Sequence, residues 1–206
     1  LRDTHHQAEP YVCTGRDAHE EAYCCAPGLS VAQDAALLQS CGLFFAPQRL
    51  AIDAAQWRSY WQKAGAPAWL QDIGAVHERT SVPVRSLLDA LHHVPATARK
   101  ASETALMALP LSSRGESTLP YWGTRIRAKT WSMPNPLRPA ESVGGLAGWQ
   151  ADGAAVWLMG DGSSRAVLAR AAPLLGPRLQ GMAGRPGGPC VDVHFFSRYP
   201  LRAVTD

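Results

Sequence analysis

Four of the five cysteines of this 206-residue chain, Cys13, Cys24, Cys25 and Cys41, fall within its first 41 residues. Residues 1–29 around them carry few periodic hydrophobics and read as an extended arm, so covalent staples must do what a core would do elsewhere. Two disulfides formed in an oxidising compartment are expected, which places the chain outside the cytoplasm: secreted, periplasmic or in an organelle lumen. Three pairings are open, although adjacent Cys24 and Cys25 would have to close a strained ring. Cys190 is left over, either buried and inert or reactive. His5, His6 and His19 lie near the cluster and raise the rival reading of a metal site. No CxxC or HxxxH spacing occurs, however, and no metal is expected. The chain opens at Leu1 rather than methionine, which reads as a processed or excised form with any targeting segment out of view.

A hydrophobic content of 46% and a charged content of 18% are those of a globular protein able to bury a core. The net charge of +3 is too small to argue for nucleic acid. No apolar run approaches the ~20 residues a membrane-spanning helix needs.

Taken in order, Ser30-Val31-Ala32-Gln33 forms a capping box that predicts a helix to about Cys41, with Gly42 closing it and Leu43-Phe44-Phe45 following as a connector or short strand. Asp53-Ala54-Ala55-Gln56 repeats the box. Ile52 and Trp57 stand at the staple positions, Trp57, Tyr60, Trp61 and Ala64 share one face, and Gly65 ends the helix. Trp57 is expected to be buried. Pro67 opens a short turn, Ser81 caps a helix with the stripe Val84, Leu87, Leu88 and Leu91, and a fourth helix spans Thr97 to Leu109. Beyond Pro110 the pattern changes. Thr124 to Trp131 alternates as a strand does, whereas Met133 to Gly148, with Pro134, Pro136, Pro139 and three glycines, reads as a long connection.

The stretch 154–172 reads as a buried strand, a Gly160-Asp161-Gly162 turn and a helix capped by Ser163 and interrupted at Pro173. Strands are also expected over 191–196 and 201–205. The fold class is therefore mixed, α+β or α/β. A helical, cysteine-stapled half (1–110) would pack on a smaller sheet-containing half (111–206).

Three places carry candidate chemistry. The turn at Gly160 and Gly162 leaves backbone N–H groups that could receive an anion or an oxyanion, with Ser163 or Ser164 at the helix start. Gly160-Asp161 resembles the nucleophile block of SGNH-like hydrolases, with Gly162 standing where that family has its serine. The segment also resembles the last strand–loop–helix of rhodanese-like domains, with Met159 or Gly160 at the place of their cysteine. Asp192 and His194 share one side of a strand, where a carboxylate could hold an imidazole for acid–base work. Arg125, Arg127, Lys129 and Trp131 share one face of the alternating strand and could grip a carboxylate or phosphate. His92-His93 at a helix C-terminus needs only the helix dipole to explain it.

No complete catalytic or cofactor motif is present, and no cofactor is expected. The reading is a non-catalytic extracytoplasmic interaction or assembly component of a multiprotein complex, binding an acidic or anionic protein partner. The alternative is a hydrolase or transferase using Ser163 or Ser164 with His194 and Asp192.

Overall fold

The computed structural model describes residues 8–76, 80–106, 116–181 and 195–196. Two short strands open the chain, β1 (Tyr11–Val12) and β2 (Ser30–Val31), paired antiparallel with Tyr11 opposite Val31. Between them lies a single turn, α1 (Ala18–Glu21). The expected disulfides form, Cys13–Cys25 and Cys24–Cys41. They enclose a small core of Cys13, Cys24, Val31, Ala36, Cys41 and Phe44. Residues 8–29 are thus a folded, cross-linked module rather than an arm.

Pairing of Ser30 with Val12 has a local consequence. The Ser30 backbone is committed to the strand, so its capping box does not form. Helix α2 (Gln33–Gln39) starts instead from Ala32, without a side-chain cap. Its end is set by Ser40 rather than Gly42: Ser40 takes the left-handed conformation (φ 66°), and the Cys41 N–H reaches back to the Ala36 carbonyl at 2.9 Å. Gly42 then begins α3 (Gly42–Phe45), capped by Cys41 Sγ, which accepts from Phe44 N–H at 3.3 Å. The expected connector at 43–45 is therefore a helical turn.

Helix α4 (Ala54–Lys63) begins as its sequence predicts, with Asp53 Oδ1 accepting from Gln56 N–H at 2.7 Å. It buries no residue fully. Trp57 is half-buried, not buried, and its indole N–H donates to the Leu70 carbonyl of α5 (Ala68–Gln71) at 2.7 Å. Helix α6 (Val84–His92) starts behind Pro83 rather than at Ser81, because the Pro83 carbonyl accepts the first helical bond, from Ser86. Helix α7 (Ala96–Leu106) follows.

A single turn, α8 (Leu119–Trp122), leads into a sheet of order β3-β4-β5-β6. Its strands are β3 (Ile126–Asn135), β4 (Arg138–Gln150), β5 (Ala155–Asp161) and β6 (Phe195–Phe196). The first three run antiparallel, and β6 pairs parallel with β5 at Met159 and Gly160. The expected long connection over 133–148 is in fact a hairpin. Its glycines are explained by close approach: a Cβ on Gly144 would strike the Ser164 backbone at the start of helix α9 (Ser164–Gly181). Helix α9 lies on one face of the sheet over Ile126, Ala128, Leu146 and Leu158. It continues through Pro173, because Val167, Leu168, Ala171 and Ala172 before the proline and Leu175 after it pack on that same core. Burial on both sides offsets the one backbone bond the proline removes.

The chain divides into two compact units, 1–82 with 93–106, and 83–92 with 107–206. Helix α6, counted by sequence with the helical half, belongs to the second: the Trp149 indole N–H donates to the Leu91 carbonyl at 3.0 Å. Among the described residues no helix is long and apolar enough to cross a membrane.

Candidate functional site

The glycine turn resolves into a set of filled hydrogen bonds. Gly160 lies within β5, opposite Gly144 and Phe196. Gly162 holds φ +103°, a conformation that suits glycine, and its N–H donates to the Ser142 carbonyl at 2.7 Å. Ser163 is exposed and caps α9, its hydroxyl accepting from Ala166 N–H at 3.4 Å. Ser164 is buried, and its N–H donates to Ser132 Oγ at 2.9 Å. Three of the amides that an oxyanion would need are therefore already spent inside the protein. Asp161 beside them is buried and paired with Arg138, Nη2 to Oδ1 at 3.4 Å. Arg170 also reaches the Asp161 carbonyl. The other members of the catalytic alternative, Asp192 and His194, lie outside the described residues, as do Cys190 and the strand expected over 201–205.

The cationic strand is a second arrangement. Along β3, Ile126, Ala128 and Thr130 are buried under α9, while Arg127, Lys129 and Trp131 are half-buried on the opposite face. Arg125 is exposed and just precedes the strand. The period of two therefore works as the sequence implies, with the cations on the side away from α9. The register sets Lys129 opposite Ala147, which in turn faces Trp157, and Trp131 opposite Gly145. Small residues on the middle strand let the flanking indoles lean together, their centroids 5.5 Å apart. Both indole N–H groups are covered, and among the described residues neither meets an acceptor. Arg127 is steadied by donating to the Thr124 carbonyl. Glu141 is engaged by Arg138 at 3.2 Å.

A third site was not visible in sequence. Glu21 is only 5% exposed, and its carboxylate accepts from Tyr11 O–H at 3.0 Å, Thr14 N–H at 2.6 Å, Thr14 O–H at 3.4 Å and Gly15 N–H. Burial alone would raise the pKa of this carboxyl. The Thr14 amide, the Tyr11 hydroxyl and the Gly15 amide outweigh it and hold Glu21 below the ordinary glutamate value. Tyr11 is pushed up in return, first by burial and then by its bond to Glu21. Arg49 closes the same module, stacking on Phe44 at 4.4 Å and donating to the Phe44 and Glu9 carbonyls. A buried acid at the end of a single helical turn has no periodicity to betray it. Its one signal is the polar run Thr14-Gly15 inside the cysteine cluster.

Residues 15–139 match a family model described as "Predicted secreted protein (DUF2300)". Over 205 residues the chain is 43% identical to the protein YfaQ of Escherichia coli (strain K12), described as uncharacterized. The match takes in all of this chain and 37% of that relative, so the chain spans little more than a third of its length. No solved structure matches. The two disulfides and the family description agree on an extracytoplasmic protein.

Proposed function

We propose, from the premise that this chain belongs to the DUF2300 family of predicted secreted proteins, that it is a non-catalytic interaction or assembly component of a larger protein complex. Its contact surface is the cationic face of β3, formed by Arg125, Arg127 and Lys129 and edged by Trp131. The observation that carries this reading is the division of β3 between Ile126 and Trp131: Ile126, Ala128 and Thr130 are buried, and Arg127 and Lys129 stand together on the other side. Residues two apart on one face lie about 6.6 Å from each other, so the row presents closely spaced positive charge to an acidic partner. The Ser163 hydroxyl and Ser164 amide, by contrast, already serve the fold.

The test is co-precipitation from extracytoplasmic extract with wild-type protein and with R125E/R127E/K129E, across a salt series. Capture by the wild type should weaken as salt rises and be lost in the variant. Equal capture by both would reduce the row to solvated surface. The competing hydrolase or transferase reading requires a reactive serine. Labelling of Ser163 or Ser164 by a fluorophosphonate probe would replace the assembly reading with it.

A further inference from the structure

We infer that Cys13–Cys25 is an exchangeable bridge: a dithiol opens it through Cys25 while Cys24–Cys41 stays closed, and the opening dismantles the cradle around Glu21. A disulfide is reduced only where a thiolate can reach one of its sulfurs. Cys13, Cys24 and Cys41 are 1%, 4% and 0% exposed, whereas Cys25 is only partly buried. The segment that follows it, residues 26–30, is exposed throughout, and Cys25 Sγ sits 3.4 Å from the Leu29 carbonyl oxygen. Cys24–Cys41 offers no such approach. Both of its residues lie in the small core, and Cys41 Sγ also caps α3 by accepting from Phe44 N–H at 3.3 Å.

The reaction is a pair of exchanges. A thiolate of the dithiol attacks Cys25 Sγ, the Cys13–Cys25 bond breaks, and its electron pair leaves on Cys13 Sγ, which takes a proton from water. The second thiol of the reagent, as its thiolate, attacks the reagent's own sulfur in the mixed disulfide and releases Cys25, which is protonated in turn. The dithiol is oxidised to a disulfide, and the bridge gains two electrons and two protons.

The position of this bridge decides what its opening does. It closes a loop between residues 12 apart in sequence, and that loop holds both sides of the cradle. The donors Thr14 and Gly15 directly follow Cys13, and the acceptor Glu21 stands shortly before Cys25. Gly15 is also pressed against the segment beyond Cys25, since a Cβ there would come within 3.3 Å of Pro27 Cγ. Without the bridge, Cys13 keeps two backbone bonds to that segment: its N–H donates to the Leu29 carbonyl at 3.0 Å, and its carbonyl accepts from Gly28 N–H at 2.8 Å. Bonds beside a two-residue strand pair are too few to keep the loop closed by themselves. The Thr14 and Gly15 amides then leave the carboxylate, while Cys24–Cys41 keeps α2 and α3 in place.

The test treats the whole oxidised chain with increasing dithiothreitol and, in parallel, with reduced thioredoxin as a dithiol protein. Free thiols are alkylated with one reagent, the remaining bridges are reduced and alkylated with a second, and each cysteine is read by mass spectrometry. Cys13 and Cys25 should take the first label at least about tenfold faster than Cys24 and Cys41. In the half-reduced species the Thr14 and Gly15 amides should exchange hydrogen at least about tenfold faster than in the oxidised chain, while Phe44 N–H stays protected. C13S/C25S should show the same exchange pattern without reductant, and the wild-type measurement stands by itself if that variant does not fold. Reaction with dithiothreitol alone identifies the donor as a small dithiol, and reaction with thioredoxin as well extends it to a dithiol protein; either result supports the exchangeable bridge. Simultaneous opening of the two bridges, or opening of Cys24–Cys41 first, would overturn it. Thr14 and Gly15 amides that stay protected after Cys13–Cys25 has opened would overturn it equally.

Discussion

The two units hold themselves together by different means. Of the six buried residues that make the core around α2 and α3, three are cysteines and one is alanine, leaving Val31 and Phe44 as the sizeable hydrophobes. The core under α9 instead buries Trp122, Ile126, Leu146, Leu158, Val167 and Leu168. Cross-links can take the place of buried area because they lower the entropy of the unfolded chain rather than adding contacts to the folded one. Reductant should therefore act on one unit and spare the other.

The largest expected effect follows directly. The bridges Cys13–Cys25 and Cys24–Cys41 span 12 and 17 residues, and chain entropy assigns each about 3 kcal/mol. Reduction should release the amides of β1, β2 and α2 to rapid hydrogen exchange while those of β3 and β4 stay protected. Simultaneous loss in both units would mean that the sheet depends on the staples. The converse experiment is Leu158→Ala. Leu158 is buried beneath α9, and its truncation should cost about 2–5 kcal/mol. That cost should read out in β3–β5 and be the same with or without reductant.

The same contrast explains what could be read from sequence. The period of two in β3 and the box at Asp53 were legible, because each is a local signal that its surroundings do not oppose. β4 was not: Gly144 is there to let the α9 backbone approach, and a glycine chosen for long-range contact looks like a loop residue. The Ser30 box failed for a similar reason, since pairing with Val12 claims its backbone first. Pro173 marks a break that tertiary burial overrides. The number of disulfides followed from the cysteine cluster, and their connectivity did not. The Glu21 cradle depends on which loop amides turn inward, which no sequence spacing encodes. The cationic face was legible as a row, whereas its place at the end of the sheet order among the described residues required the strand order.

An intermediate effect concerns pH in the stapled unit. The folded pKa of Glu21 lies below its ordinary value of 4.5, so the carboxylate stabilises the fold fully above that value. The contribution is lost as pH falls below 4.5 through the folded pKa. Thermal melts should show wild type losing its advantage over Glu21→Gln in that acid window, with the two curves parallel at neutral pH. A difference unchanged down to the acid limit would mean that the cradle holds the protonated acid equally well. The sheet unit should show no such difference between the two proteins, because Glu21 belongs to the other unit.

The smallest effects compare one device, the helix N-cap, across the two units. Asp53 caps α4 by accepting a 2.7 Å bond from Gln56 N–H on a charged oxygen, and Ser163 caps α9 by accepting a 3.4 Å bond from Ala166 N–H on a neutral one. Loss of a cap costs roughly 1 kcal/mol, and charge-assisted bonds lie at the stronger end of the range. Asp53→Ala should therefore cost more than Ser163→Ala. The two helices differ further in what remains after the cap is gone. Helix α4 buries no residue fully, so little else resists its fraying. Helix α9 is pinned by Val167, Leu168, Ala171 and Ala172. Amide exchange should accelerate along much of α4 in Asp53→Ala, and only in the first turn of α9 in Ser163→Ala. Ser163→Asp should restore α9, because a carboxylate both accepts the Ala166 bond and complements the helix dipole. Equal acceleration in the two helices would show that caps, rather than burial, hold α9 to the sheet.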